Sequence, residues 1–200
     1  MNTTNVALNA IGWVAVATGI SGLLGFIFII LFFTVGQPFG TLNDIFIGLT
    51  SILSAVLVWM IFPEYKGQFP LLSKVALVIA TSGAVLVLVG SVLAITGSTG
   101  WFLSGLYMAA GNAMIGLWLL LLSYSALQGN SLPQGLVIFG LISGVILALG
   151  LVTIPGILRG IDSQEYELTL FNSIWWVSSL GYLAIYPTWC TLLGRTLLLK

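Results

Sequence analysis

The chain has 200 residues, of which 59% are hydrophobic and only 5% charged, with five Lys and Arg balanced by five Asp and Glu. A mean hydropathy of +1.17 excludes a soluble domain, because water offers no way to solvate so much apolar surface, and assigns the chain to a bilayer. Zero net charge without a basic cluster excludes nucleic acid as a partner. The lack of histidine and the single Cys190 remove the usual general base, the usual metal ligands and any intrachain disulfide, so neither a metal nor a cofactor is expected.

A bilayer core about 30 Å thick needs roughly 20 apolar residues in a helix, and six runs meet that need, at about 9–34, 45–62, 74–97, 101–126, 134–158 and 171–195. The first follows "MNTTNVALN", which has no basic residue, and the run is too long for a signal peptide, so it reads as a true span. Gly12, Ala15, Gly19 and Gly22 recur along it in steps of three and four, the spacing of a helix face that meets another helix closely. "GQPFGTLND" separates it from the second run, with Asp44 at that helix's start, where a carboxylate suits the positive end of the helix dipole. After "PEYKGQFP" the third run carries Ala76, Ala80, Gly83, Val87, Gly90, Ala94 and Gly97. Its mean period of about 3.5 predicts left-handed packing with crossings near about +20°.

The fourth run begins after the tight turn "GSTG" and places Asn112 in a stripe with Gly105, Ala109 and Gly116. That stripe predicts that the amide points at another helix. Two readings follow: a bond to a neighbouring Ser, Thr or carbonyl, or a ligand contact in a small cavity. The first is favoured, since small neighbours leave little room and an amide needs few partners. Met108 and Met114 read as adaptable packing rather than a soft-metal site. "QGNSLPQ" opens the fifth run, where Gly140 and Gly144 form a GxxxG pair. The connector "RGIDSQEYEL" holds Asp162, Glu165 and Glu167, whose spacing is not that of a calcium loop and reads as a solvated loop. In the sixth run Pro187 cannot donate to the Leu183 carbonyl and predicts a bend. Ser178, Tyr182 and Tyr186 lie at successive turns and form, with Asn112, the candidate ligand-binding set; the bland alternative is interfacial anchoring. Cys190 reads as a small buried hydrophobe.

If the spans alternate, Lys66, Lys74, Arg195 and Lys200 share one face and Arg159 lies on the other, which places both termini in the cytoplasm. The tryptophans agree, with Trp13, Trp59 and Trp189 near the inner boundary and Trp101, Trp175 and Trp176 near the outer one. No ionisable side chain falls in the middle of a span, which argues against ion-coupled transport, a proton pump or a retinal Schiff base.

"GLWLLLLSYSALQGNSLPQGLVIFGLISGV" from Gly116 and "YPTWCTLLGRTLL" from Tyr186 resemble the fourth and fifth helices and C-terminal end of a poorly characterised family of six-helix prokaryotic membrane proteins, grouped under a domain of unknown function. The likeness implies an architecture and no catalytic residue.

The expected protein is therefore a single all-α domain over 1–200, a left-handed six-helix bundle of a prokaryotic cytoplasmic membrane. It is expected not to be an enzyme but an accessory subunit or the holder of an apolar or neutral ligand. The alternative is a carrier or channel for a neutral solute, which requires a wet cavity reaching midplane. Its partners would be membrane lipid and other membrane subunits or a second copy. The orientation is testable: a C-terminal green fluorescent protein fusion should fluoresce in the cytoplasm, and a cysteine introduced at Ser163 should react from outside with an impermeant maleimide. Labelling only after lysis would reverse the topology.

Overall fold

The computed structural model describes residues 3–65, 70–163 and 169–199. Backbone polar groups in a bilayer find no water, so each run satisfies them within itself as a helix. Helices α1 (Thr3–Val35), α2 (Phe39–Tyr65), α3 (Pro70–Thr96) and α4 (Trp101–Gly129) are continuous rods. The fifth rod is α5 (Gln134–Ala148), a 3-10 turn (Leu149–Thr153) and α6 (Ile154–Leu158); the sixth is α7 (Thr169–Leu180), a π turn (Gly181–Ile185) and α8 (Tyr186–Leu198). Helix ends follow local chemistry. After α3, Gly97 adopts φ 65°, its N–H bonding the Ala94 carbonyl while the Ser98 N–H bonds that of Leu93, a Schellman ending that suits a residue without a Cβ.

Consecutive rods pack side by side, and α8 closes the ring against α1. Five of the helices, Val6–Val35, Phe39–Pro63, Pro70–Thr96, Trp101–Gly129 and Gln134–Leu158, are long and apolar enough to span a membrane. The more polar sixth rod runs the same height, since Trp175 meets Trp101 near one end and Leu198 meets Gly12 near the other. The chain is a multi-pass integral membrane protein built as a six-helix bundle.

Glycines bring three seams to backbone contact. A methyl group added to Gly83 on α3 would lie 2.5 Å from the Gly111 carbonyl oxygen on α4, and one on Gly111 would lie equally close to that of Gly83. Gly116 on α4 and Gly144 on α5 show the same reciprocity at 2.9 Å, and Gly194 on α8 meets the Gly12 carbonyl of α1 at 2.5 Å. Gly19 and Gly22 face Pro187, Gly90 faces Ser104 and Met108, Gly105 faces the Trp175 ring, and Gly140 faces Ser123 and Trp189. Ala15, Ala80 and Ala109 are fully buried.

The ring's centre is filled differently from its seams. Tyr186 donates from its hydroxyl to Ser54 Oγ on α2 at 2.9 Å, a bond across the interior. Trp189, fully buried, donates from Nε1 to the Leu136 carbonyl at 3.1 Å, stacks on Tyr186 with ring centroids 6.4 Å apart and meets Trp118 edge-on. Trp189 is therefore not part of an interfacial girdle, and neither is Trp175, which is 3% exposed. A tryptophan in a long membrane helix belongs to whichever phase its face meets, and α8 turns this one inward.

Helix α2 begins at Phe39, ahead of the expected start near 45, because only Gly36–Pro38 is needed for the turn. Asp44 consequently lies beyond the first turn of α2, too far in for the end-of-helix role that its sequence position suggested. Lys66 and Lys200 lie outside the described residues.

Glycine contacts of this kind make size the determining variable. Gly111→Leu should lower the unfolding midpoint in detergent by an amount corresponding to about 1–3 kcal/mol of overpacking. Gly135→Leu, at a position with nothing within 4 Å of an added Cβ, should leave it unchanged. Equal midpoints for both variants would show that the seam tolerates separation.

Candidate functional site

A cleft of about 450 Å³, counting its open mouth, enters the ring from the end opposite the termini. Most of that is open mouth: water-sized spheres can be centred in only about 40 Å³ of it, room for a small polar head with the rest of a ligand left at the mouth. Ile29 and Phe33 of α1, Asn43, Asp44 and Ile47 of α2, Trp101, Ser104 and Met108 of α4, and Trp175, Trp176, Ser179 and Tyr182 of the sixth rod supply most of the wall. On α4 it descends from Trp101 to Met108, about 10 Å at the rise of a helix, and stops a turn above Asn112.

The lining is apolar with a few polar groups placed in it. The Asn43 side-chain amide donates to Asp44 Oδ1 at 3.1 Å, which leaves the other carboxylate oxygen free of that bond. Ser104 donates to the Trp101 carbonyl at 2.9 Å, and Ser179 to the Trp175 carbonyl at 2.8 Å. Both hydroxyls thus spend their proton on their own helix and keep oxygen lone pairs available. Asn43 Oδ1 and Trp175 Nε1 are buried without a hydrogen-bond partner. Orphaned buried polar atoms cost about 1–3 kcal/mol each, and two of the orphans among the described residues belong to side chains of this one cleft. Trp101 stands edge-on to Trp175 at 5.7 Å, and Trp176 lies 4.7 Å from Trp175 between ring centroids.

Of the four candidate ligand-binding residues, Tyr182 alone lines this cleft, with its hydroxyl beside Ser179. Ser178 donates to the Leu147 carbonyl on the fifth rod at 3.2 Å, and Tyr186 is held by Ser54. The helical spacing of Tyr182 and Tyr186 suggested a common direction. The π turn between Gly181 and Ile185 inserts an extra residue and rotates the second tyrosine away from the first. The turn also places Pro187 in the first turn of α8, where its missing N–H costs nothing. Asn112 is 6% exposed and donates from Nδ2 to the Met108 carbonyl of its own helix at 2.9 Å, rather than across to a neighbour. Sequence reasoning missed Asn43, Ser104 and Ser179, and it placed Asp44 in a helix cap. Serine signals nothing by itself in a helix, and Asp44 was disguised by the misplaced helix start.

The cleft's rim has a capping interaction of its own. Asp162 accepts from the Gly100 N–H at 2.6 Å through Oδ2 and from the Leu103 N–H at 3.0 Å through Oδ1, so it caps α4 from the far connector, where Gly100 has no side chain to do so. The connector is not merely solvated. Glu165 and Glu167 lie outside the described residues, and among those described no group of three or more His, Cys, Asp or Glu could hold a metal.

No protein-family model, curated protein or solved structure matches this chain. The likeness to a six-helix membrane family is supported as far as an all-α, largely hydrophobic bundle of six rods and no further. The site must speak through its own chemistry.

A second cleft of about 360 Å³ lies between α2, α3 and α4 near the terminal end, lined by Val58, Ile61, Leu72, Ala76, Trp118 and Ser125 among others. Among the described residues, none that lines it carries one of the orphaned atoms or a charged side chain. Asp162→Ala should destabilise the protein by about 0.5–2 kcal/mol, the usual worth of a cap, read as a lower unfolding midpoint, while Ser163→Ala should not. Equal midpoints would show that water caps α4 equally well.

Proposed function

We propose that this protein is a non-enzymatic, multi-pass protein of a prokaryotic cytoplasmic membrane that holds a small ligand in the cleft opposite its termini. The observation that carries this reading is the placing of Asp44, Ser104, Ser179 and three tryptophans on the wall of one opening. A bundle that served only to dock other subunits has no need to keep a carboxylate there, since a charge partly drawn out of water is costly unless something binds it. The basic residues bias the termini toward the cytoplasm, so the cleft opens outward in this reading. The heptad stripe of α3 supports left-handed packing.

The carrier reading keeps one specific observation in its favour, the pair of clefts at opposite ends of the bundle. Trp118, Tyr186 and Trp189 pack between them, and the deeper end of the outer cleft lies short of the bundle's middle. Holding is therefore preferred to passage.

Purification in native lipid discs followed by mass spectrometry tests this reading. The wild type should carry a stoichiometric small molecule, and Ile29→Trp, which fills the cleft from the half-buried wall of α1, should lose it while retaining its unfolding midpoint. Equal ligand content in both proteins would place the ligand elsewhere. An empty wild type would remove the support for holding.

A further inference from the structure

The chemistry of the lining narrows the ligand class, given the holding role proposed above. Among the described residues Asp44 is the only carboxyl or amine group in the wall, and none of those lining the cleft is a lysine or arginine. Asn43 gives the carboxylate one hydrogen bond, and no protein cation in the wall offsets its charge. A carboxylate drawn out of water is stabilised by an opposite charge at close range, and here only a ligand can bring one. The neutral groups point the same way. Ser104 and Ser179 have their protons committed to helix carbonyls, and the Tyr182 hydroxyl lies against Ser179. The serine oxygens are left as acceptors for N–H groups. Trp101 and Trp176 are both partly exposed, at 42% and 44%, and with Trp175 they surround the mouth with indole rings, the side chains that attract cations most strongly through their faces. Met108, Ile47 and Leu183 close the inner end with apolar surface. The Trp175 Nε1–H is buried behind the wall and presents the ligand with no exposed donor.

We infer that the cleft binds an organic ammonium ion, a protonated amine carried on a small apolar or aromatic body, with the nitrogen at Asp44 and the body among Trp101, Trp175 and Trp176. An anion is disfavoured by Asp44, and an inorganic cation would gain little from a wall so largely apolar. The ligand is an amphipathic organic cation rather than a bare inorganic ion.

Calorimetric titration of the full chain in lipid discs tests the inference with benzylammonium and its near-isosteric uncharged counterpart, benzyl alcohol. Wild type should bind benzylammonium more tightly than the alcohol. Asp44→Asn keeps an acceptor for Asn43 and should weaken benzylammonium by about tenfold or more, with the alcohol unchanged; Asp44→Glu should restore most of the loss. Trp101→Leu, at an exposed position, should weaken the cation more than the alcohol and provides a second route if Asp44→Asn fails to fold. Equal affinity of both probes in the wild type, insensitive to Asp44→Asn, would overturn the ammonium assignment while leaving a ligand-holding cleft. Benzylammonium binding that survives both Asp44→Asn and Trp101→Leu would place its site elsewhere and overturn the assignment too. If neither probe binds the wild type and Ile29→Trp alters no co-purifying molecule, the holding reading itself fails.

Discussion

The architecture depends on backbone-to-backbone contact at the glycine pairs Gly83–Gly111, Gly116–Gly144 and Gly12–Gly194. In a bilayer the lipid tails are as apolar as leucine, so helices gain nothing from mere burial and associate through close packing. A missing Cβ on both sides of a seam lets two helices approach until carbonyl oxygens meet α-carbons. These pairs fix α3 to α4, α4 to the fifth rod, and the sixth rod to α1. Because α4 takes part in two of them, it is the most enclosed of the long helices, with 72% of its most apolar window buried.

Tight seams determine what the centre must contain. With the helices drawn together around a ring, the remaining axial space is filled at mid-height by Trp118, Tyr186 and Trp189, whose polar atoms reach Ser54 and the Leu136 carbonyl. Toward the end opposite the termini the filling stops, and the same ring holds a cleft instead. The break in regularity that permits this is the π turn of the sixth rod. It rotates α8 so that its aromatics enter the axial layer while Trp175, Ser179 and Tyr182 remain on the cleft wall. One inserted residue thus separates a structural half of the rod from the half that lines the opening.

The polar groups are divided in the same way. Most hydroxyls in the helices bond the carbonyl one turn back, as Thr18, Ser125, Ser143 and Thr188 do, which satisfies them without involving a second helix. Asn112 belongs to this group. Where α2, α4 and the sixth rod diverge, Ser104 and Ser179 follow the same rule, and it is Asp44, bonded by Asn43, that gives the opening its chemical character.

What the sequence alone determined follows from local rules. Six helical rods, five of them long and apolar enough for a bilayer, the turns that divide them, and small-residue faces such as Gly12–Gly19–Gly22 are all written in composition and period, because insertion in lipid constrains each helix by itself. Which face meets which neighbour is not local. The partners of Gly111 and Gly194, the inward turn of Trp189, the cap that Asp162 supplies to α4 from some sixty residues away, and the meeting of Asp44 with Trp101 and Trp176 each join rods distant along the chain. Only the tertiary structure decided them, since helical phase accumulates over a whole rod and a single π turn or a start at Phe39 resets it.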